Sequence, residues 1–525
     1  MKDRLTSGAH PALITTVLVL AGGARLAQAG EPAGAAASVD APSEAAPIAA
    51  QPAATPVPAP TLASPPAQTE SAPPPVAAAP TELTGAAWFA RPRLALTARQ
   101  GSQAFKLRFF GFLEADYMVD TTRSYDDSMG TLLVARTDTY ENHHGRTQFS
   151  LKSTRLGFGF ESPRVGAVTP SAVIEADFAG SQPSPPGSSE AVFFASPLFR
   201  IRHAYVMLKS PYVDLLLGHT FDAFGWQSTF DPSGIRNQLF SRNPQLRVSR
   251  EFNPEGAVTF ELAAAAVRPA QRDSGVPDAS GGLRVSFNGW QGIRTPGNER
   301  IVAMPLTVAV SGIMRQFKAN AFTEQPIQNS NSVMGWGLSF DAFLPVIPAT
   351  NFVDRGNRLA LMGSFVKGAG IGDLLSVTGG AMFPTLPNPA KANPAPLYDS
   401  NIDNGLVTFD AQGMLHAIDW TAFRVGLQYY LPTTGRWIFS ANYTQAHSAN
   451  LATLYPLGGA EIGNLQTHVA DTFRYADAKL SFDVTPILRV GVYGQYTQTG
   501  YLPTAGGDID KPHNIRIAGQ TIYLF

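Results

Sequence analysis

The chain has 525 residues, a formal net charge of −1, no cysteine, and only 15% charged residues. So weak and balanced a charge excludes a protein whose electrostatics must offset a nucleic-acid backbone. The missing thiols exclude disulfide scaffolds, thiolate zinc sites and cysteine nucleophiles, whereas length alone leaves the domain count open, because a barrel uses several hundred residues as one unit.

Residues 1–29 read as a secretory signal peptide. Lys2 and Arg4 give a basic start, Leu13 to Gly22 an apolar segment, and Ala27-Gln28-Ala29 a small-residue cleavage pattern before Gly30. The apolar segment falls short of the roughly twenty residues that a spanning helix needs, and no later window reaches that length. A crossing of a membrane therefore has to be made with strands.

Residues 30–85 are almost entirely Ala, Pro, Ser, Thr and Val, as in Pro56-Val57-Pro58-Ala59-Pro60 and Pro73-Pro74-Pro75. Such a segment buries too little apolar surface to offset its ordering entropy, and its prolines favour an extended backbone. It is expected to be a disordered periplasmic linker reaching on the order of 150 Å at full extension. A passive tether and a contact with peptidoglycan are its two alternatives. Residues 86–104 form a transition segment, and a barrel is expected over 105–525.

From Phe105 the chain alternates. Phe105, Leu107, Phe109, Leu113 and Tyr117 are separated by Lys106, Arg108, Glu114 and Asp116, the period-two signature of a strand with one oily face. Leu156, Phe158 and Phe160 repeat the pattern, as do Ala172, Ile174, Ala176 and Phe178. Phe149 and Leu151 are out of phase with Leu156, so an interruption must lie between them. Further candidates cover 199–209, 256–267, 282–290, 301–317, 333–345, 357–368, 421–431, 435–447, 471–483, 486–500 and 512–525. Many reach ten residues, the length of a tilted strand crossing a bilayer. Backbone groups in hydrocarbon need partners, which amphipathic strands supply only by closing on themselves. The expected fold is all-β: a transmembrane antiparallel β-barrel of about sixteen strands.

Connections alternate in length. Ser210-Pro211 and 431–435 are short, while 120–145, 180–198, 318–332, 379–410 and 446–470 are long, as between the two faces of an outer-membrane barrel. The chain ends on an alternating strand with Phe525, which resembles the signal read by the barrel assembly machinery.

Several segments resemble the DcaP-like family of trimeric porins. They are Arg146 to Phe158, Glu175 to Gly180, Arg200 to Val206, Leu216 to Phe221, Asn243 to Ser249 and Gly368 to Gly372. The likeness spans most of 105–525. It departs at His219, where the family usually has Gln, and at the N-terminus, where the family's coiled coil gives way to the Pro/Ala linker. The resemblance implies a homotrimer of sixteen-stranded barrels in the outer membrane of a Gram-negative bacterium, each with a loop folded into its lumen, passing small hydrophilic and often anionic solutes.

Selectivity needs inward charges. Alternation turns Lys106, Arg108, Arg155, Arg200, Arg202, Arg284, Arg315, Arg489 and Arg516 away from the apolar face, and Arg247 follows the candidate inward loop. Guanidinium stays charged and offers paired donors, so this set suits carboxylates or phosphates, opposed by Glu114, Asp116, Glu175 and Asp177. The stretch from Thr220 to Gln245 carries Phe221, Phe224, Trp226 and Phe230 with Asp222, Asp231, Arg236 and Arg242. It is either a constriction loop or an ordinary outer loop. His143, His144, His203 and His219 have no partner spacing that identifies a catalytic triad or a metal site, and no cofactor is expected. Gly368 to Gly372 lacks the Lys-Ser/Thr ending of a phosphate loop. Two functions stay open: a passive porin preferring anions such as carboxylates, and a structural or adhesive barrel with a plugged lumen and partner-binding loops.

Overall fold

The computed structural model describes residues 94–100, 103–125, 133–180, 198–225, 239, 241–295, 302–320, 330–349, 355–375, 378, 401–403, 405–410, 412–454, 469–503 and 507–525. The expected signal peptide and linker lie outside the described residues.

The first strands are β1 (Leu94–Gln100), β2 (Gln103–Asp120), β3 (Arg146–Ser150), β4 (Arg155–Glu161), β5 (Thr169–Gly180), β6 (Leu198–Lys209), β7 (Asp214–Phe221), β8 (Arg242–Phe252), β9 (Val258–Val267) and β10 (Asp278–Arg294). They are followed by β11 (Val302–Asn320), β12 (Ser330–Ile347), β13 (Arg358–Ala369), β14 (Val407–Phe409), β15 (Leu415–Ala417), β16 (Asp419–Tyr430), β17 (Trp437–Ser448), β18 (Ala470–Thr485), β19 (Leu488–Tyr501) and β20 (His513–Leu524). All but the short hairpin β14–β15 belong to one antiparallel sheet of 18 strands.

That sheet closes. β2 pairs with β20 from Phe112↔Leu524 to Asp120↔Arg516, and on its other edge with β4 and then β3. β3 and β4 thus share one position in the wall, while β1 pairs only with the early part of β2, from Leu94↔Phe109 to Gln100↔Gln103. The wall therefore has the sixteen positions expected. β1 falls inside the segment read as a transition, so the sheet begins earlier than the alternation at Phe105 suggests.

The expected phase break is real. Residues 151–154 leave the ladder between β3 and β4, opposite Glu114 of β2. Thr154 repairs the gap: its Oγ1 accepts from the Glu114 backbone N–H at 3.1 Å. A hydroxyl replaces the lost ladder acceptor, which keeps a buried donor satisfied.

Burial along the strands is inverted relative to a water-soluble protein. On β20, Ile515, Ile517 and Tyr523 are exposed, while Asn514, Arg516 and Gln520 are buried. On β12, Met334, Trp336, Leu338, Phe340, Leu344 and Val346 face out, while Ser339 and Asp341 face in. A continuous apolar exterior of this extent has no counterpart on a water-soluble monomer, whose apolar patches stay at a few hundred Å². Lipid tails are the solvent that suits it. Aromatic pairs mark both rims: Phe109 stacks on Phe525 at 5.0 Å and Trp437 meets Phe482 at 4.6 Å at one, and Tyr117 meets Phe149 at 4.7 Å at the other.

Connections 162–168, 210–213, 253–257, 295–301, 348–357, 431–436 and 486–487 lie at one end. The eight loops 121–145, 181–197, 222–241, 268–277, 321–329, 370–418, 449–469 and 502–512 lie at the other, most of them longer. Described residues of five of these loops turn inward. Tyr125 and Val134 of the first, Phe224 and Leu239 of the third, Ile371, Leu374 and Leu375 of the sixth, Leu451 of the seventh and Leu502 of the eighth form one buried apolar cluster. They pack against inward-facing Ile313, Val366, Trp420 and Phe473 of the wall.

Candidate functional site

The third loop leaves β7 and enters the lumen. Asp222 starts the turn: its Oδ1 accepts from the Phe224 N–H at 3.3 Å and is also bonded by the Ser280 hydroxyl of β10. Burial pushes the Asp222 carboxyl above the usual carboxylate range, opposed by the hydrogen bonds from Ser280 and from the Phe224 and Ala223 backbone. Gly225 has φ 84° and donates its N–H to Ser311 Oγ of β11 at 2.7 Å. Phe224 then reaches β12, where Gly337 leaves a notch; a Cβ there would stand 2.6 Å from Phe224 Cζ. Leu239 bridges to Leu375 of the sixth loop. Over its described residues the loop packs inward against the wall and the sixth loop. Asp231 and Arg236, with Trp226 and Phe230, lie outside the described residues.

At the root of the loop, Gln245 Nε2 donates to the carbonyls of Thr220 at 3.0 Å and Phe221 at 2.8 Å. Arg247 adds a longer bond, 3.4 Å, to the Phe221 carbonyl. Arg242, the first residue of β8, stands over the Phe221 ring at 5.7 Å and within electrostatic reach of Arg155, Arg200 and Arg202.

The inward cations divide by burial. Arg315, Arg489 and Arg516 are sealed and paired. Arg315 donates to Asp278 at 2.8 Å, to the Gly370 carbonyl at 2.8 Å and to Asp373 at 2.6 Å, which ties the sixth loop to the wall. Arg516 grips Asp120 at 2.7 and 2.8 Å across the β2–β20 closure. Arg489 meets Asp483 at 2.7 Å, and Asp483 also receives Arg355 at 2.7 Å. Breaking such a buried pair from one side leaves an uncompensated charge, at about 3–5 kcal/mol.

The second group is wet. Lys106 and Arg108 share Glu161 near the short-turn end. Arg200 is bidentate to Asp177, at 3.0 and 2.7 Å, with 44% of its side chain exposed. Arg284 pairs with Glu261 on the neighbouring strand, 40% and 32% exposed. The Glu161 and Arg284–Glu261 pairs, open to water on both sides, are worth about 0–1 kcal/mol, whereas the Asp177 carboxylate under Arg200 is buried and also held by Arg202 at 2.7 Å. Between the groups stand Arg155 and Arg202, both buried, sharing Glu175 at 3.3 and 2.9 Å. Glu114 and Asp116, expected to oppose the arginines, instead sit at the β2–β20 seam, where Gln520 bonds Glu114 at 2.7 Å.

A bulge in β6 sets the histidines. Glu175 pairs with His203 and Ala176 with Ile201, so Arg202 is the extra residue. Two successive side chains therefore turn inward. His203 Nδ1 lies 2.9 Å from Thr220 Oγ1. His219 pairs with Ala204 and Pro244, on the opposite face. His144 stacks on Tyr140 in the first loop. Among the described residues there is no group of three His, Asp or Glu arranged to hold a metal. Gly368 to Gly372 is a strand end and a turn, with Gly370 at φ 69°.

Two cavities follow one another along the wall, the first beside the third loop. The smaller, about 120 Å³, has Ala223 and Gly225 of the loop on one side and Arg247, Glu261, Arg284 and Ser311 of the wall on the other. The larger, about 520 Å³, continues toward the short-turn end past Glu251, Glu255, Asn288 and Gln291. Glu261 and Arg284 line both. Glu261 went unremarked in the sequence because a single acid between Phe260 and Leu262 is ordinary alternation; its partner is visible only in the sheet register.

Neither a protein-family model nor a curated relative matches the chain. Among solved structures the chain is similar to the outer membrane channel DcaP of Acinetobacter baumannii, with a TM-score of 0.53 and 16% identity over 82% of this chain and 99% of that one. It also matches the anion-selective porin from Comamonas acidovorans, with a TM-score of 0.42 and 10% identity over 80% and 100% of the two chains. The fold is that of a porin-type barrel. The likeness to DcaP gives the motif resemblance its counterpart in three dimensions.

Proposed function

We propose that the protein is an outer-membrane porin, a passive diffusion channel for small hydrophilic solutes that prefers anions such as carboxylates. The observation that carries this reading is the wet arginine wall beside an inward loop, inside a barrel whose exterior is apolar. Guanidinium groups held in a narrowed aqueous passage act on an ion at short range, where screening is weak. Phosphates and carboxylates fit their paired donors.

The same reading takes residues 1–29 as a cleaved export signal and 30–85 as a periplasmic linker, tethering or touching peptidoglycan. Delivery by the barrel assembly machinery through Phe525 and assembly as a homotrimer rest on the terminal strand and on the motif resemblance, respectively. The role needs neither a catalytic centre nor a cofactor.

One observation favours a second reading. The apolar cluster contributed by five loops fills part of the mouth, as it would in a structural or adhesive barrel with a plugged lumen. Planar bilayers separate the two. Discrete conductance steps with a reversal potential toward the anion side in a KCl gradient support the porin; clear cation preference ends the anion preference, and a silent, properly inserted protein supports the plugged barrel.

A further inference from the structure

The arginines locked in buried pairs offer nothing to a passing ion, unlike Arg284, whose wet pair with Glu261 lines both cavities. Arg284 and Glu261 are direct partners in the β9–β10 ladder. Their meeting is therefore set by sheet register and not by a mobile loop. Both side chains are partly open to water. Across the smaller cavity stand Ala223 and Gly225, which carry no side-chain charge. Arg247, which lines the same cavity, is within electrostatic reach of Glu261.

We propose that Glu261 is the channel's built-in competitor anion: its carboxylate occupies the guanidinium of Arg284, and a small oxyanion crossing from one cavity to the other must take its place. This deepens the anion-preferring reading above and rests on it. The geometry explains why one acid belongs in an arginine-lined passage. A bare guanidinium pair would hold an anion and slow its release, whereas a resident carboxylate on the same ladder returns to the seat and expels it. Binding that is exchangeable rather than tight is what conduction requires. The ligand class is a compact oxyanion, since a cavity of about 120 Å³ admits a carboxylate or phosphate group more readily than a bulky one.

The test uses full-length protein in planar bilayers under a KCl gradient, with sodium acetate as the competing probe. Glu261→Gln keeps the shape and removes the charge. It is expected to raise the anion-to-cation permeability ratio severalfold and to lower the acetate concentration that half-blocks the chloride current. Arg284→Gln is expected to lower the ratio, and Glu261→Asp to stay near the parent in both measurements. Should Glu261→Gln lose its heat-modifiable folded band, Glu261→Ser removes the same charge in a strand-compatible side chain and gives the same readout. An anion-preferring parent whose ratio and acetate block are unmoved by removing the Glu261 charge overturns the competitor role and leaves the porin reading intact. A cation-preferring parent removes the anion reading and this proposal together.

Discussion

Phe224 and Gly337 show how single residues set the bore of the lumen. The ring is buried in a notch that exists because β12 carries no side chain there. Removing a buried phenyl costs about 3–5 kcal/mol where the site cannot collapse. Phe224→Ala is accordingly expected to release the third loop, raising single-channel conductance and speeding protease cleavage between residues 222 and 241. Unchanged conductance and cleavage would mean that the loop is seated by its backbone contacts alone. At the seam, among the described residues, Arg516→Met would leave Asp120 with Asn514 at 3.0 Å and Gln148 at 3.1 Å. The expected result is a drop in the temperature at which the folded gel band converts to the unfolded one, consistent with about 3–5 kcal/mol for a one-sided break of a buried pair. No drop would show that the two amides hold the carboxylate as well. Alternation identified Arg315 and Arg516 as inward, since every second residue shares a face. It did not disclose that Arg315 joins Asp278 to Asp373, because that contact needs the β10–β11 register and the inward turn of the sixth loop, neither of which alternation specifies.

Elements differ in how plainly they announce themselves. β12 and β20 alternate without interruption, so their faces were legible. β1 was not: Leu94-Ala95-Leu96-Thr97-Ala98 is short, and it becomes a strand because β2 offers an edge. The hairpin β14–β15 was hidden for a related reason, being only three residues on each side and stabilised by local polar bonds. The Met414 N–H, donating to Asp410 Oδ1 at 2.9 Å, holds that carboxyl below its ordinary value near 3.8; His416 at 2.7 Å and the Gln412 N–H add to the effect. A depressed folded-state pKa means stabilisation that is present above the ordinary value and lost as pH falls through the folded one. Hydrogen exchange in 407–417 is therefore expected to show no protonation-driven loosening from neutrality down to about pH 4 and to rise below it, after correction for intrinsic exchange. In Asp410→Ala the neutral-pH protection should already be low; a variant as protected as the parent would discount the carboxylate.

For the molecule as a whole, a wall of about sixteen strands was legible because lipid enforces alternation on the strands that cross, although β7 and β8 showed only in the motif resemblance. The filling of the barrel was not legible. Ile371, Leu374 and Leu375 sit in a long polar connection and look like stray apolar residues until the fold gathers them with Val134 and Leu502. Their signal was spread over five loops, none apolar enough to stand out.

Where β20 stops at Leu524, β2 continues toward its own start, and β1 takes up the donors and acceptors from Phe109 to Gln103. A staggered closure would otherwise leave a free ladder at the rim, the kind of surface on which sheets of different molecules join. By folding back, β1 acts as a selvedge. It finishes the woven border so that crowded neighbours slide past one another without being stitched together.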